Sequence, residues 1–224
     1  FDCESDSLFS NLPGQFHEDK IRYMQFTVVS ALALPCEPIE AGAPIDDIMS
    51  LGVVYNWWRD IAEEDCNPLV SLLELFDGAE AIVGYNCNGF DFPLIRRFYR
   101  PTQSTAQPVQ RYVDHRTKTL DIMSRVRDAT GSYMKLDELL KRNGLSCKSS
   151  DGKQAVAMWE RGDREALKSY CDMDVMLTAR LALLETVAVS DTVRIGGAGC
   201  GLRAFLASQR ATNPTEVDDA FVLV

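Results

Sequence analysis

Acidic residues stand at three widely separated places in this sequence, each in a pattern typical of a structured position. They are the pair Asp2 and Glu4, the single Asp91, and Asp174, which follows Tyr170 by four residues. Carboxylate oxygens are the hard ligands that Mg²⁺ and Mn²⁺ prefer. Two such ions can activate a water and stabilise the charge of a phosphate during hydrolysis. If the fold brings the four acids together, they could support metal-dependent hydrolysis of a phosphodiester.

The first pair belongs to a stretch of alternating apolar and acidic residues, Phe1-Asp2-Cys3-Glu4. Successive side chains of a β-strand point to opposite faces, so Asp2 and Glu4 would share one face while Phe1 and Cys3 face the core. Two carboxylates held this close repel each other unless a cation lies between them. An exposed segment with two solvated acids is the alternative, and it would be favoured for an isolated D-x-E.

Asp91 follows an apolar run at residues 81–83, which is closed by Gly84 and is typical of a short buried strand. Residues 86–91 have the composition of a loop, and Pro93 stands where the first turn of a helix tolerates proline. The pattern predicts a strand end that delivers the Asp91 carboxylate at the start of a helix. Asp is also a common N-cap, and the isolated motif favours neither role.

Asp174 lies in a segment, residues 163–187, whose apolar side chains recur at helical spacing. Tyr170 and Asp174 are therefore one turn apart on the same face of a predicted long helix. Burying an unpaired Asp among apolar neighbours is costly, and a metal shared with other carboxylates would offset that cost. A solvated position at the rim of the apolar stripe is the alternative.

The remaining patterns predict an α/β domain. Asp121 precedes an apolar helical stripe, and we favour a role as N-cap over a supporting role beside the acids. After residue 190 the signals weaken, so we assign residues 1–190 to one domain and residues 191–224 to a C-terminal extension of unknown role. The other expected elements are one long strand or a bent pair of strands at 21–34, strands at 51–58 and 192–195, and helices at 68–76, 136–145 and 153–161. We also expect a loop at 7–20, a turn at 35–44 and an irregular segment at 101–118.

The composition, with 46% hydrophobic and 25% charged residues, is that of an ordinary folded protein. The sequence has no apolar run long enough for a membrane span and no signal-peptide pattern, so we expect no membrane partner. Its seven cysteines are widely spaced and form no C-x-x-C motif. This argues against a disulfide framework or a zinc site and favours an intracellular, reducing compartment.

The formal net charge is −10, which disfavours a broad phosphate-binding surface. Acids that surround divalent cations would add to that negative count without excluding a nucleic-acid substrate. Residues 92–118 are unusually basic and include aromatic residues, with Asp114 as the single acid. This segment is either part of a nucleic-acid groove or a solvated helix face and loop, and both interpretations stay open. Its basic residues are Arg96, Arg97, Arg100, Arg111, Arg116 and Lys118.

Taken together and in order, three motifs resemble those of the DEDD, or DnaQ-like, exonucleases of RNase H-like fold. The motifs are Asp2-x-Glu4, then Gly84-Tyr-Asn86-x-x-x-Phe90-Asp91-x-Pro93, then Tyr170-Cys171-x-x-Asp174. The tyrosine in the last motif is typical of the DEDDy branch, since the histidine branch would have His where Ser169 stands. The sequence is most similar to proofreading exonucleases of family B DNA polymerases and related stand-alone exonucleases, over residues 1 to about 187.

The resemblance implies a central mixed β-sheet flanked by helices and a 3′-5′ exonuclease that releases nucleoside 5′-monophosphates. Two Mg²⁺ or Mn²⁺ ions would be held by the four acids, with Asp2 bridging them, and Tyr170 would orient or help deprotonate the attacking water. The ligand set implied in this way is Asp2, Glu4, Asp91 and Asp174.

The resemblance also implies that Asn86 and Phe90 hold the terminal nucleotides. In the family the first motif often continues Glu-Thr-x-Gly, whereas Ser5-Asp6-Ser7-Leu8 follows Glu4 here. This difference leaves open whether Leu8 or Phe9 contacts the terminal base. We add Arg96 as a substrate contact because it belongs to the basic segment that follows the second motif.

The expected partner is nucleic acid with a free 3′ end, with single-stranded DNA favoured. An RNA-trimming exonuclease with the same site is one alternative, and a non-catalytic module that binds nucleic-acid ends or a protein is another. The chain is too short to carry a polymerase and does not start with Met. We therefore expect either a stand-alone exonuclease or a piece of a larger protein, with a partner in replication or repair.

Overall fold

The computed structural model describes residues 1–61, 67–99, 108–145, 153–196, 201–212 and 220–224. It has the expected α/β architecture, with a central mixed β-sheet flanked by helices. The strands are β1 (Asp2–Ser5), β2 (Phe26–Pro35), β3 (Val53–Trp58), β4 (Ala81–Gly84), β5 (Thr119–Asp121), β6 (Thr186–Ala188), β7 (Arg194–Gly196) and β8 (Phe221–Leu223).

Helices precede, connect and follow these strands. They are α1 (His17–Ile21), α2 (Cys36–Ala41), α3 (Ile45–Ser50), α4 (Val70–Gly78), α5 (Asp91–Ile95), α6 (Pro108–Thr117), α7 (Ile122–Thr130), α8 (Leu136–Arg142), α9 (Lys153–Glu160), α10 (Arg164–Ala182) and α11 (Leu202–Thr212). Short 3₁₀ turns occupy Phe9–Asn11, Arg59–Ile61 and Arg96–Phe98. None of the helices that the structure describes combines the length and apolar character needed to cross a membrane.

The ten-residue strand β2 organises the sheet. Strand β3 pairs antiparallel with one edge of β2, while β8 and β1 pair antiparallel with the other edge. Strand β4 runs parallel to β8, and β5 runs parallel to β4. The strands β6 and β7 form a separate antiparallel pair.

Strands β8 and β1 follow one another along the same line between β2 and β4. Leu32 and Val224 exchange backbone hydrogen bonds of 2.7 and 2.8 Å, and Asp2 lies opposite Ser30, two residues away on β2. On the other side, the amino group of Phe1 donates to the carbonyl of Val83 at 2.7 Å. The segment assigned to a C-terminal extension thus contributes a strand to the middle of the sheet.

The period-two pattern of the strands divides the core between the two faces of the sheet. Cys3 of β1 and the preceding Phe1 join one cluster with Val29, Ala31 and the helices α4 and α5. Leu32 and Leu34 of β2 join the other cluster, together with Val175 and Leu181 of α10. This alternation places Asp2 and Glu4 on the face that α10 covers.

Three stretches predicted to be irregular contain helices. Residues 7–20 contain a 3₁₀ turn and most of α1, residues 35–44 contain α2, and residues 108–117 form α6, while 100–107 lie outside the described part. For α2 and α6 the prolines were misleading because they lie at the helix starts, where a missing N–H costs nothing. Pro35 precedes α2 and Pro108 begins α6.

Two predicted boundaries were also wrong. The strand predicted at 21–34 starts at Phe26, because Ile21 ends α1. The long helix ends at Ala182 rather than near residue 187, since residues 186–188 pair with β7 as β6. The other expected strands and helices are present with ends shifted by a few residues.

Candidate active site

Asp2 and Glu4 project from the same face of β1, as the alternation predicts. Their side chains are half-buried, whereas Phe1, Cys3 and Ser5 between and beside them are buried. One ligand atom from each of Asp2, Glu4 and Cys171 lies within 4.8 Å of the other two. A register shift in the pairing of β1 with β2 falls at Glu4, between Cys3 and Ser5. The two acids therefore form a close carboxylate pair at the point where β1 leaves regular pairing.

Burial and mutual repulsion act on this pair. Burial raises the pKa of Asp2 above its ordinary value. Burial, followed by the charges of Asp2, Asp174 and Asp91, holds the pKa of Glu4 well above its ordinary value. The carboxyl groups of Asp2 and Glu4 also hydrogen-bond each other. Without a cation, the pair is electrostatically costly in its charged form.

Asp91 reaches β1 from the end of the strand–loop segment that follows β4. Its side chain is only 2% exposed, and its Oδ1 accepts a hydrogen bond of 2.7 Å from the backbone N–H of Cys3. Asp91 is the first residue of α5, and the residue at the N-cap is Phe90, which makes no side-chain cap. Burial and then the charge of Asp2 hold the pKa of Asp91 well above its ordinary value. The carboxylate is thus directed at the strand that carries Asp2 rather than at its own helix.

Asp174 approaches the same pair from α10 and is half-buried. Burial, and then the charges of Asp2 and Asp137, raise the pKa of Asp174 to about 8. A solvated carboxylate at the rim of the helix would not show this shift. The acids from β1, α5 and α10 are therefore close enough to influence one another's ionisation.

Tyr170 and Cys171 lie one turn before Asp174 on α10. The Sγ of Cys171 is 3.5 Å from both the carbonyl oxygen and the Oδ2 of Asp2. Burial holds the pKa of this thiol well above its ordinary value, so it stays protonated and donates to Asp2. Tyr170 is half-buried and packs against the small cluster that contains Ala155 and Leu167. The contact between Cys171 and Asp2 was not predicted from the sequence.

A polar network fixes α10 to the sheet beside the acids. The Oδ1 of Asp172 accepts hydrogen bonds from Ser30 Oγ at 2.8 Å and from Asn56 Nδ2 at 2.6 Å. Lys168, one turn earlier on α10, pairs with the other oxygen of Asp172 at 2.5 Å. Because Ser30 is the register partner of Asp2, this network sets the rotation of α10 relative to β1. Its one sequence signal is an extra acid two residues before Asp174.

Asp121 supports the loop that carries the second motif. It caps α7 as predicted, accepting from Ser124 N at 3.2 Å. It also accepts from the backbone N–H of Asn86 at 3.0 Å and of Asn88 at 2.9 Å. The supporting role was the less favoured prediction, and the structure shows that Asp121 performs both. The parallel pairing of β4 with β5 was the missing information, since parallel strands bring their carboxyl ends to the same edge.

The residues predicted to touch substrate take different positions. Asn86 adopts a positive φ of 62°, and its carbonyl accepts from the N–H groups of Gly89 and Phe90, both at 2.9 Å. The ring of Phe90 lies 5.8 Å from that of Phe9, so these two aromatics form one half-buried surface beside the second motif. Leu8 is half-buried and directly precedes the 3₁₀ turn that holds Phe9.

The aromatic neighbour of Arg96 is Tyr112. Arg96 is exposed, and its guanidinium is 5.4 Å from the centre of the Tyr112 ring. It therefore belongs to the basic surface formed with α6. The structure does not place it against the acids.

The donor set of the site fits hard divalent cations. It consists of carboxylate oxygens from Asp2, Glu4, Asp91 and Asp174. Burial raises the pKa values of all four, and the charges of neighbouring acids raise those of Glu4, Asp91 and Asp174 further. Divalent ions would neutralise this repulsion, and oxygen ligands suit Mg²⁺ or Mn²⁺ better than softer metals. The protonated thiol of Cys171 makes a poor ligand for such ions and acts instead as a neighbour of Asp2.

Comparison with known families agrees with this geometry. A family model described as the RNase H superfamily matches residues 46–184, which is well over half of the chain. Searches of curated proteins and of solved structures gave no match. The matched range includes Asn86, Asp91, Tyr170 and Asp174. Members of this superfamily are usually nucleases that use divalent metals. The chain belongs to the RNase H superfamily.

Proposed function

We propose that this protein is a metal-dependent 3′-5′ exonuclease of the DEDDy, DnaQ-like kind. Its substrate is single-stranded nucleic acid, with DNA favoured, and its products are nucleoside 5′-monophosphates. One observation supports the proposal above the others: acids from β1, α5 and α10 lie close enough for their charges to interact. The charges of Asp2, Asp91 and Asp174 raise the pKa of Glu4, and the charge of Asp2 raises those of Asp91 and Asp174. A fold seldom gathers uncompensated carboxylates in this way unless a cation shares them.

Four residues would hold the metal ions in this proposal: Asp2, Glu4, Asp91 and Asp174. Two bound divalent ions supply activation of the attacking water and neutralisation of charge on the scissile phosphate. The protein must place its ligands rigidly for that purpose. The bond from Cys3 N to Asp91 and the contact of Cys171 with Asp2 restrict two of the four carboxylates.

Other side chains would act on water and substrate. Tyr170 lies one turn before Asp174 on the same helix, and its hydroxyl would orient the water that attacks the terminal phosphodiester. The pair of Phe9 and Phe90 would stack with the terminal bases, because aromatic faces bind bases of any sequence. The loop residue Asn86 would hold the sugar or phosphate of the last nucleotide. These roles follow the resemblance to exonucleases and the positions of the side chains.

RNA trimming on the same site is the second candidate function. Nothing in the acid cluster distinguishes a deoxyribose from a ribose, so the same catalytic residues would serve both. A non-catalytic end-binding module is the third candidate. It is less well supported, because all four acids and Tyr170 are present.

The proposal is tested with single-stranded oligonucleotides labelled at either the 3′ or the 5′ end, incubated with and without Mn²⁺. With Mn²⁺ we expect the 3′ label to be released first as a mononucleotide while the 5′ label remains on a shortening ladder. Matched DNA and RNA strands separate the first two candidates. Shortening from the 5′ end, internal cuts, or degradation that is equal in EDTA would each contradict the proposal.

Asp174→Asn should reduce this degradation at least about a hundredfold, because one ligand carboxylate is lost while the side chain keeps its shape. Circular dichroism should show that the variant remains folded. Asp191→Asn is the matched control, since the Asp191 side chain is 99% exposed. Undiminished activity of Asp174→Asn would remove this residue from the site.

A further inference from the structure

A basic pocket opens beside the loop of the second motif and plays no part in the site described above. Its volume is about 310 Å³, and its walls come from the loop, α5, α6 and the residue after α1. Its lining includes Asn88, Gly89 and Pro93. It also includes Tyr112 and three arginines, Arg22, Arg96 and Arg116. The space is many times the roughly 10–15 Å³ that a single water needs.

The three guanidinium groups of this pocket have no acidic partner among the residues that the structure describes. Elsewhere in the described part of the chain, other arginines do form ion pairs, such as Arg59 with Asp6 and Arg164 with Asp60. In a chain with a net charge of −10, three arginines that converge without a carboxylate are unexpected. Arginine groups of this kind are typical of phosphate recognition.

Tyr112 and Asn88 hold two of the arginines in place. The Tyr112 ring centre lies 5.4 Å from the guanidinium carbon of Arg96 and 5.6 Å from that of Arg116. Arg116 also donates through Nε to Asn88 Oδ1 at 2.9 Å and through a terminal nitrogen to the Asn88 carbonyl at 3.3 Å. Such fixed cations lose little freedom when they bind an anion.

The pocket and the candidate active site share the loop that leads to Asp91. The N–H of Asn88 donates to Asp121, the residue that also holds Asn86. Asn88 precedes Asp91 by three residues and Gly89 by two, and Pro93 follows it by two. A strand whose end lies at the acids would therefore pass this pocket within a short length of its backbone.

We propose that the pocket formed by Arg22, Arg96, Arg116 and Tyr112 binds a backbone phosphate of the substrate strand, on the 5′ side of the nucleotide that is removed. This inference rests on the proposed exonuclease function, and it adds a second anchoring point for the strand. The ligand is the phosphodiester of the chain rather than a base, because the pocket offers positive charge and only a mostly buried aromatic ring. The site would slow dissociation of the strand independently of sequence.

The test is binding of a short fluorescent single-stranded DNA in EDTA, followed by anisotropy at several NaCl concentrations. Arg22→Gln and Arg96→Gln should each weaken binding about tenfold, as expected for loss of one charged hydrogen bond. Each should also lower the slope of log K against log salt by about 0.7. Arg194→Gln removes the same charge from an exposed residue of β7 and should leave both values unchanged.

An abasic strand of the same length and a free nucleoside monophosphate identify the ligand. We expect the abasic strand to keep the dependence on Arg22 and Arg96. If the dependence disappears with the abasic strand, or appears only with the free nucleotide, the pocket binds something other than the strand backbone and the inference is wrong. Equal weakening by Arg194→Gln, or no weakening by either pocket variant, also overturns it.

Binding in EDTA requires no hydrolysis, so this result is separate from the test of exonuclease activity. A wild-type protein that binds DNA through these arginines but degrades nothing would contradict the proposed function and leave the pocket assignment standing. A protein that degrades 3′ ends but binds DNA equally well after the arginines are replaced would contradict the pocket assignment and leave the proposed function standing.

Discussion

At the scale of single residues, the site is defined by carboxylates whose charges oppose one another. Burial raises the pKa of Asp91 and Glu4 well above their ordinary values, and it raises that of Asp174 to about 8. The thiol of Cys171 and the N–H of Cys3 each donate to one of the acids, which is too little to offset the repulsion. Protons or divalent cations must therefore compensate, and the two compete for the same oxygens.

This competition predicts how stability depends on pH. The pKa of Asp174 is about 8 in the folded chain against 3.8 ordinarily, so between these values the folded state binds more protons than the unfolded state. The free energy of unfolding of the metal-free protein should then fall as pH rises through that window. Saturating Mg²⁺ should make the free energy of unfolding depend less on pH, because bound ions neutralise the carboxylates that protons would otherwise neutralise.

Thermal unfolding at pH 6.5 and pH 8.5, with and without Mg²⁺, measures this effect on Tm. His115, whose burial lowers its pKa to about 4, exchanges protons on unfolding mainly below this range. We expect the Tm gained from Mg²⁺ to be larger at pH 8.5 than at pH 6.5. Asp174→Asn should reduce that difference and Asp191→Asn should not. A gain that is the same at both pH values in the wild type would show that the acids do not hold the ions.

At the scale of elements, the site depends on how strands and helices hold their ends together. Asp121 fixes the loop between β4 and α5 through the N–H groups of Asn86 and Asn88. Asp121 also caps α7, so one carboxylate joins β5, α7 and the loop. Asp172 performs a similar role for α10 through Ser30 and Asn56.

Replacing Asp121 should therefore lower both stability and activity. Asp121→Ala leaves the N–H groups of Asn86 and Asn88 and the first turn of α7 without their acceptor, and we expect a loss of about 2–4 kcal/mol in the free energy of unfolding. Asp121→Asn keeps one carbonyl oxygen and should lose less. Urea denaturation measures the first effect, and kcat/KM for 3′-end degradation of the folded variants measures the second.

Asp128→Ala is the matched control on the same helix, because Asp128 is exposed and only weakly paired with Arg127. It should change neither quantity by much. Should Asp121→Ala retain full kcat/KM while losing stability, its role would be confined to capping α7, and the loop would not need its support.

The strands and helices that carry the candidate site were easier to predict from the sequence than several of the surrounding helices. Each acid could be singled out from a local pattern: Asp2 from strand alternation, Asp91 from an apolar run that ends in a loop, and Asp174 from helical periodicity. The pairing of β4 with β5, which gives Asp121 its second role, depends on contacts between distant segments and has no local signature. The helices α2 and α6 were missed because prolines at helix starts resemble those of turns.

At the scale of the whole molecule, the chain combines a negative net charge with a local concentration of arginines. The net charge of −10 reflects in part the acids of the candidate active site. The arginines of α6 and its neighbours lie beside the loop of the second motif, so a strand would meet positive charge before it reaches the acids. Electrostatic attraction of this kind guides nucleic acid even to a protein that is negative overall.

The carboxy-terminal strand also contributes to the site. Strand β8 lies between β2 and β4, in line with β1, and supports the position from which Asp2 and Glu4 project. The weak patterning after residue 190 concealed this role, since a three-residue strand surrounded by other strands needs no periodicity of its own. The core of the domain therefore draws on both ends of the sequence.

The central claim is that Asp2, Glu4, Asp91 and Asp174 together hold a pair of divalent ions. Counting Mn²⁺ bound per chain by electron paramagnetic resonance, in the presence of a nucleoside 5′-monophosphate, tests it most directly. We predict that the wild-type protein binds two ions and that Asp174→Asn binds at most one, while Asp191→Asn still binds two. A wild-type protein that binds no Mn²⁺, or an Asp174→Asn variant that binds two ions as tightly as the wild type, would contradict the account.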